Sequence, residues 1–179
     1  MQLACCSEIF DPKALILLPQ GKRNPLQIPR CHPHITGVNI MNAIEVAQRY
    51  IDAWNRHDAD AIVASFAEGG TYNNPDAGQG LTGEAIADFA KGVFAALPDV
   101  SFEIVSIGDS GGGLVAYQWL LRGTNTGPGL DDTPPTGRSV RVPGATFVQV
   151  KGDKIRSEYA YHDRQTMAEQ LGPTATEPA

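Results

Sequence analysis

"LVAYQWLLR", residues 114–122, alternates in a way that decides how the chain folds. Its odd positions, Val115, Tyr117, Trp119 and Leu121, form a wholly apolar row, and its even positions, Ala116, Gln118, Leu120 and Arg122, form a mixed one. A period of two over such a run is a β-strand, and the apolar row belongs on the face that other elements cover. Neighbouring segments carry the same signature: "VSFEIVSIGD" before it, and "SVRVPGATFVQV" and "KIRSEYAYHD" after it. The connections "SGGG" and "KGD" suit hairpins, and "NTGPGLDDTPPTG" is a longer Gly/Pro-rich loop. Short turns join antiparallel neighbours, so this half of the chain reads as a four-stranded meander.

Upstream the period changes to that of helices. "MNAIEVAQRYIDAWNRHD" from Met41 places Ala47, Tyr50, Ile51 and Trp54 on one face. Asp58 is an N-cap for a second short helix bearing Ile62, Val63 and Phe66. "EGGTYNNPDAGQG" (68–80) is rich in turn residues around a short strand at 71–73. A third helix follows Gly83, with Ile86, Phe89, Ala90, Val93 and Leu97 inward, and Pro98 stops it. After the strands, "RQTMAEQLG" makes a short helical turn. The whole is α+β, with helices packed on one face of a curved antiparallel sheet.

The 179 residues suit one domain with a substantial core. Residues 1–42 show no sustained period and are expected to be an extension, disordered or lying before the natural start at Met41; 43–172 form the domain and 173–179 a tail. A net charge of −6 argues against nucleic acid or an anionic membrane as partner. No apolar run approaches the roughly 20 residues that span a bilayer. Cys5, Cys6 and Cys31 all precede the domain, which therefore needs no disulfide, as the cytoplasm permits. "CHPH" at 31–34 lacks the paired spacing of a structural metal site, so no metal is expected.

In the last strand, Ile155, Ser157, Tyr159 and Tyr161 share one face, which Asp163 extends. That row is expected to face the helices and a cavity beneath them. An aspartate in an apolar, tyrosine-lined pocket would have its pKa raised and could abstract a proton alpha to a carbonyl. The other reading makes it the cap of a helical turn starting at Arg164, or an ion-pair partner of an arginine. Tyr161 and Tyr159 either donate hydrogen bonds to a developing enolate or simply pack the core. Trp54, Trp119, Tyr72 and Asn74 are candidate pocket walls. His162 is expected on the outer sheet surface, and His57 in solvent.

These segments resemble the SnoaL-like polyketide cyclases, within the cone-shaped superfamily of nuclear transport factor 2 that also holds the steroid Δ-isomerases. The resemblance runs from about residue 43 to Gly172 and is carried by "YIDAWNRHDADAIVASFAEGGTYNNP", "WLLRGTNTGP", "PPTGRSVRVPG" and "YHDRQTMAEQLG". It implies a cone-shaped sheet, antiparallel or mixed, wrapped around N-terminal helices. It also implies intramolecular aldol ring closure on a small hydrophobic carbonyl compound, with no cofactor, in which Asp163 is the general acid/base. The chain departs from the pattern at Asn125, where the cyclases usually carry histidine, and at 146–149, which hold none. The isomerase base position holds Asn74. The alternative is a non-catalytic module that binds a hydrophobic ligand or dimerises. The doubly apolar centre of 114–122 suggests a homodimer through the outer sheet face.

Overall fold

The computed structural model describes residues 42–130 and 133–172. The three cysteines, "CHPH", the residue 1–40 extension and the 173–179 tail lie outside the described residues. The order of elements is α1 (Ala43–Asn55), α2 (Ala59–Ala64), β1 (Phe66–Asn74), β2 (Gly78–Leu81), α3 (Glu84–Ala96), β3 (Ser101–Asp109), β4 (Leu114–Thr124), β5 (Ser139–Lys151), β6 (Lys154–His162) and α4 (Arg164–Leu171).

Local chemistry sets the helix boundaries. The Asn42 side chain accepts from the Glu45 amide while Glu45 reaches back to the Asn42 amide, a reciprocal cap at the start of α1. Asp58 caps α2 through the Ala61 amide, as its position suggests. Between these helices His57 holds φ 55°, stacks on Phe94 at 4.6 Å and bonds the Val100 carbonyl through Nε2 at 2.8 Å. Instead of lying in solvent, it ties the helical corner to the start of the sheet.

The sheet order is β2-β1-β6-β5-β4-β3. The four later strands form the expected antiparallel meander, but β1 joins β6 in parallel, so the sheet is mixed. Phe66 starts β1, although helical spacing had grouped it with Ile62 and Val63. On β4 the odd row is buried, as alternation requires: Val115, Tyr117, Trp119 and Leu121 enter the core with Tyr50, Ile51 and Trp54 of α1. The inner row of β5 is even-numbered, with Val140, Val142, Thr146, Val148 and Val150 all buried.

On β6 the expected face is reversed. Val150 pairs with Ile155 and Gln149 with Ser157, so Arg156 is an extra residue bulged out of the ladder. A bulge shifts the side-chain phase of everything that follows it. Ile155 points inward, yet beyond the bulge Glu158 and Ala160 are buried while Tyr159 and Tyr161 are 46% and 55% exposed. The row carrying the tyrosines, expected inside, is the outer one.

Candidate functional site

The space between the helices and the inner sheet face is a cavity of about 580 Å³. Its polar groups fall in two clusters. At the floor lies Glu158, 3% exposed and surrounded by Tyr50, Tyr72 and Tyr117. Register places Glu158 opposite Val148 and next to Tyr72 of β1, while helical spacing brings Tyr50 in from α1. Burial away from water pushes the Glu158 carboxyl up to about 8, against a smaller opposing pull from the Tyr50 hydroxyl beside it. Neither Tyr50 Oη nor Glu158 Oε2 has a hydrogen bond of regular geometry among the described residues. Burial likewise drives the Tyr50, Tyr72 and Tyr117 phenols well upward, with Glu158 adding to each shift.

At the mouth Asp76, from the turn after β1, sits between His162 and Arg164. Its Oδ2 is 2.9 Å from His162 Nε2 and its Oδ1 is 2.8 Å from Arg164 Nε. The His162 contact is close but off the N–H axis, so it is more an ion-pair contact than an aligned hydrogen bond. His162, first, and Arg164 hold the Asp76 carboxyl below the usual carboxylate range. The His162 side chain is only 5% exposed and lines the cavity, instead of lying on the outer surface.

Most of the wall is apolar and aromatic. Trp119 crosses β5 because Gly144 opposite it has no side chain; a Cβ there would clash with the indole ring. Its Nε1–H donates to Thr146 Oγ1 at 2.9 Å. Trp54 packs against Tyr72 and Phe102. Asn74 Nδ2 donates to Tyr72 Oη at 3.1 Å, orienting that phenol. Trp54, Trp119, Tyr72 and Asn74 therefore all line the cavity.

Asp163 does not face the cavity. It is exposed and caps α4, accepting from the Thr166 amide at 3.0 Å and from its hydroxyl at 2.7 Å. Those bonds, led by the amide, lower its carboxyl pKa, which is the opposite of the shift expected for a base in an apolar pocket. Tyr159 and Tyr161 lie on the outer face with Phe147. The physical reason for all three misplacements is the bulge at Arg156, which no alternation in the sequence discloses.

A sequence model of the SnoaL-like polyketide cyclases matches residues 44–171. The chain belongs to the SnoaL-like polyketide cyclase family. Among solved structures, IdmH of Streptomyces antibioticus, a candidate polyketide cyclase, aligns over 74% of this chain and 100% of its own at 23% identity and TM-score 0.64. A candidate SnoaL-like cyclase from Jannaschia sp. CCS1 aligns over 79% and 98% at 19% identity and TM-score 0.65. A protein of ketosteroid isomerase-like fold from Catenulispora acidiphila DSM 44928, solved with trimethylamine, aligns over 75% and 98% at 25% identity and TM-score 0.62. No curated protein matches the chain.

Two SnoaL-like motifs prove architectural in this structure. In "QLG", Gln170 clamps α4 to β5 by bonding both the amide and the carbonyl of Arg141, Leu171 lines the cavity, and Gly172 ends the helix at φ 69°. Asn125, in "GTNTG", accepts from the Thr136 amide and donates to the Ala96 and Gly127 carbonyls, tying cavity-lining Thr136 to the end of α3. Reasoning from sequence missed Glu158, Tyr50, Tyr117, Asp76, His162 and Arg164 as a set. Of these, Tyr50 and Tyr117 were legible only as inward-facing residues of their elements. Among the described residues no three His, Cys, Asp or Glu side chains converge as metal ligands.

Proposed function

We propose that this SnoaL-like protein is a cofactor-independent enzyme that enolises, or closes by an aldol reaction, a small and largely apolar carbonyl compound, with Glu158 as general acid/base. The observation that carries this reading is the Glu158–Tyr50 pair: two buried polar groups, without regular hydrogen bonds, on the floor of an apolar cavity. Buried polar atoms cost free energy unless paired, so such a pair is arranged for a ligand oxygen.

A carboxyl pushed to about 8 is ionised in roughly a tenth of molecules at pH 7. The ionised form takes the proton from the carbon alpha to the carbonyl, and the electron pair moves to the carbonyl oxygen. The Tyr50 hydroxyl then donates to that enolate oxygen. Glu158, now neutral and suited to its apolar surroundings, returns the proton to the enolate, or to the alkoxide that forms when the enolate carbon attacks a second carbonyl. Atoms balance without a co-reactant, because substrate and product are isomers.

The test needs no knowledge of the natural substrate. Exchange of alpha protons for deuterium in a panel of cyclic ketones, followed by proton NMR, should be accelerated by the protein. Glu158→Gln should abolish the effect. Rates of a responsive ketone should rise with pH and level off above about 8. Exchange equal in protein and buffer, with binding retained, would leave the cavity as a ligand-binding site without chemistry.

A further inference from the structure

The floor and the mouth of the cavity are linked by one row of β6: Glu158, Ala160 and His162 all turn inward beyond the bulge. Four residues of extended chain separate Glu158 from His162, about 13 Å between Cα atoms. No single carbonyl carbon with its neighbouring atoms reaches both. Between them stands Ala160, 6% exposed, the smallest side chain L-residues offer and one of the cavity-lining residues. At the outer end His162 presents its ring to the cavity while Nε2 lies against Asp76. Its Nδ1 makes no hydrogen bond to the described residues, which leaves that nitrogen to exchange one with a ligand hydroxyl, a group that can both donate and accept.

We infer that Ala160 is a specificity-determining residue: it keeps the cavity open from floor to mouth, so that one elongated ligand sets a carbonyl on Glu158 and Tyr50 and a hydroxyl on His162 Nδ1. The substrate class is thus narrowed to long, apolar molecules with oxygen functions at both ends. Compounds with only an inner carbonyl use half of the site. Asp76, held by Arg164 as well as His162, acts as a positioning residue for the imidazole and does not touch the ligand. This extends the role proposed above for the Glu158–Tyr50 pair, holding a ligand oxygen on the cavity floor, and rests on it.

Three ketones separate the terms: acetophenone, 4-acetylbiphenyl and 4-acetyl-4′-hydroxybiphenyl, titrated calorimetrically against the full chain. The hydroxylated biphenyl should bind about tenfold more tightly than its deoxy counterpart, the increment of one well-made hydrogen bond. His162→Phe should erase that difference. Ala160→Leu, and more mildly Ala160→Val, should weaken both biphenyls at least tenfold while changing acetophenone less than twofold, which also shows that the variants are folded. Equal effects on long and short ketones in both Ala160 variants, or no advantage from the hydroxyl in the parent protein, would overturn the inference. The inner anchor is judged separately: if Glu158→Leu binds acetophenone as the parent does, the carbonyl-anchoring reading falls whatever the Ala160 ratios show.

Discussion

A single glutamate carries much of the energetic tension in this molecule. Glu158 is neutral up to about 8 when folded and only to about 4.5 when exposed. Between those values the unfolded chain has released a proton that the native state keeps, so stability falls as pH rises through this window and is flat above it. At pH 7 the cost is on the order of 3 kcal/mol. Glu158→Gln should therefore raise the melting temperature at neutral pH and flatten its decline between pH 5 and 8. A variant that melts with the parent's pH dependence would show that the carboxyl is solvated. The Asp76 carboxyl works in the other direction: its contribution is present above the usual carboxylate range and is lost as pH falls below it. Asp163→Ala, which removes a cap and leaves the cavity untouched, should lower the melting temperature modestly and leave ketone exchange unchanged.

At the scale of elements, legibility followed the regularity of the backbone. The β4 rows were readable because that strand alternates without interruption, and its buried odd row matches the structure residue for residue. The helices were readable because apolar residues recur on one face and Asp58 caps the second of them; the Asn42 cap of α1 emerged only in the structure. β6 was not, because the bulge at Arg156 depends on how Gln149 and Val150 meet the opposing strand, a pairing that one strand's sequence does not contain. Every site assignment resting on β6 inherited that reversal, and the parallel pairing of β1 with β6 was equally hidden by chain distance. Gly144 offers a test at this scale. Gly144→Ala must displace the Trp119 indole and break its bond to Thr146, so the protein should lose near-ultraviolet dichroism and ketone binding together. Retention of both would mean that the sheet opens to accommodate the methyl.

Across the whole molecule, the reversal of β6 alters the outer surface as much as the cavity. Phe147, Tyr159 and Tyr161 form an aromatic patch on the exposed sheet face, with Phe147 and Tyr161 edge to face at 6.3 Å. The homodimer expected from the apolar centre of β4 is proposed to use this patch, since large exposed apolar areas mark association surfaces. Light scattering at micromolar concentration should give a dimer, and Tyr161→Glu a monomer with unchanged ketone exchange. A monomeric parent would remove the proposal. No helix among the described residues is long and apolar enough to cross a membrane.

The union of β1 with β6 joins the first strand to the last, Phe66 beside Ile155 and Thr71 beside Ser157. Contacts so distant along the chain form late, because closing a long loop costs entropy before any contact repays it. The β3–β4–β5 hairpins can assemble locally, whereas the cavity floor needs α1, β1 and β6 together. Refolding should accordingly show early sheet dichroism, with tyrosine burial following in a slower phase. On the ribosome the same order means that the reactive carboxyl and its phenol partner meet only after nearly the entire domain has emerged, so a stalled or shortened chain has no floor on which to hold a ketone.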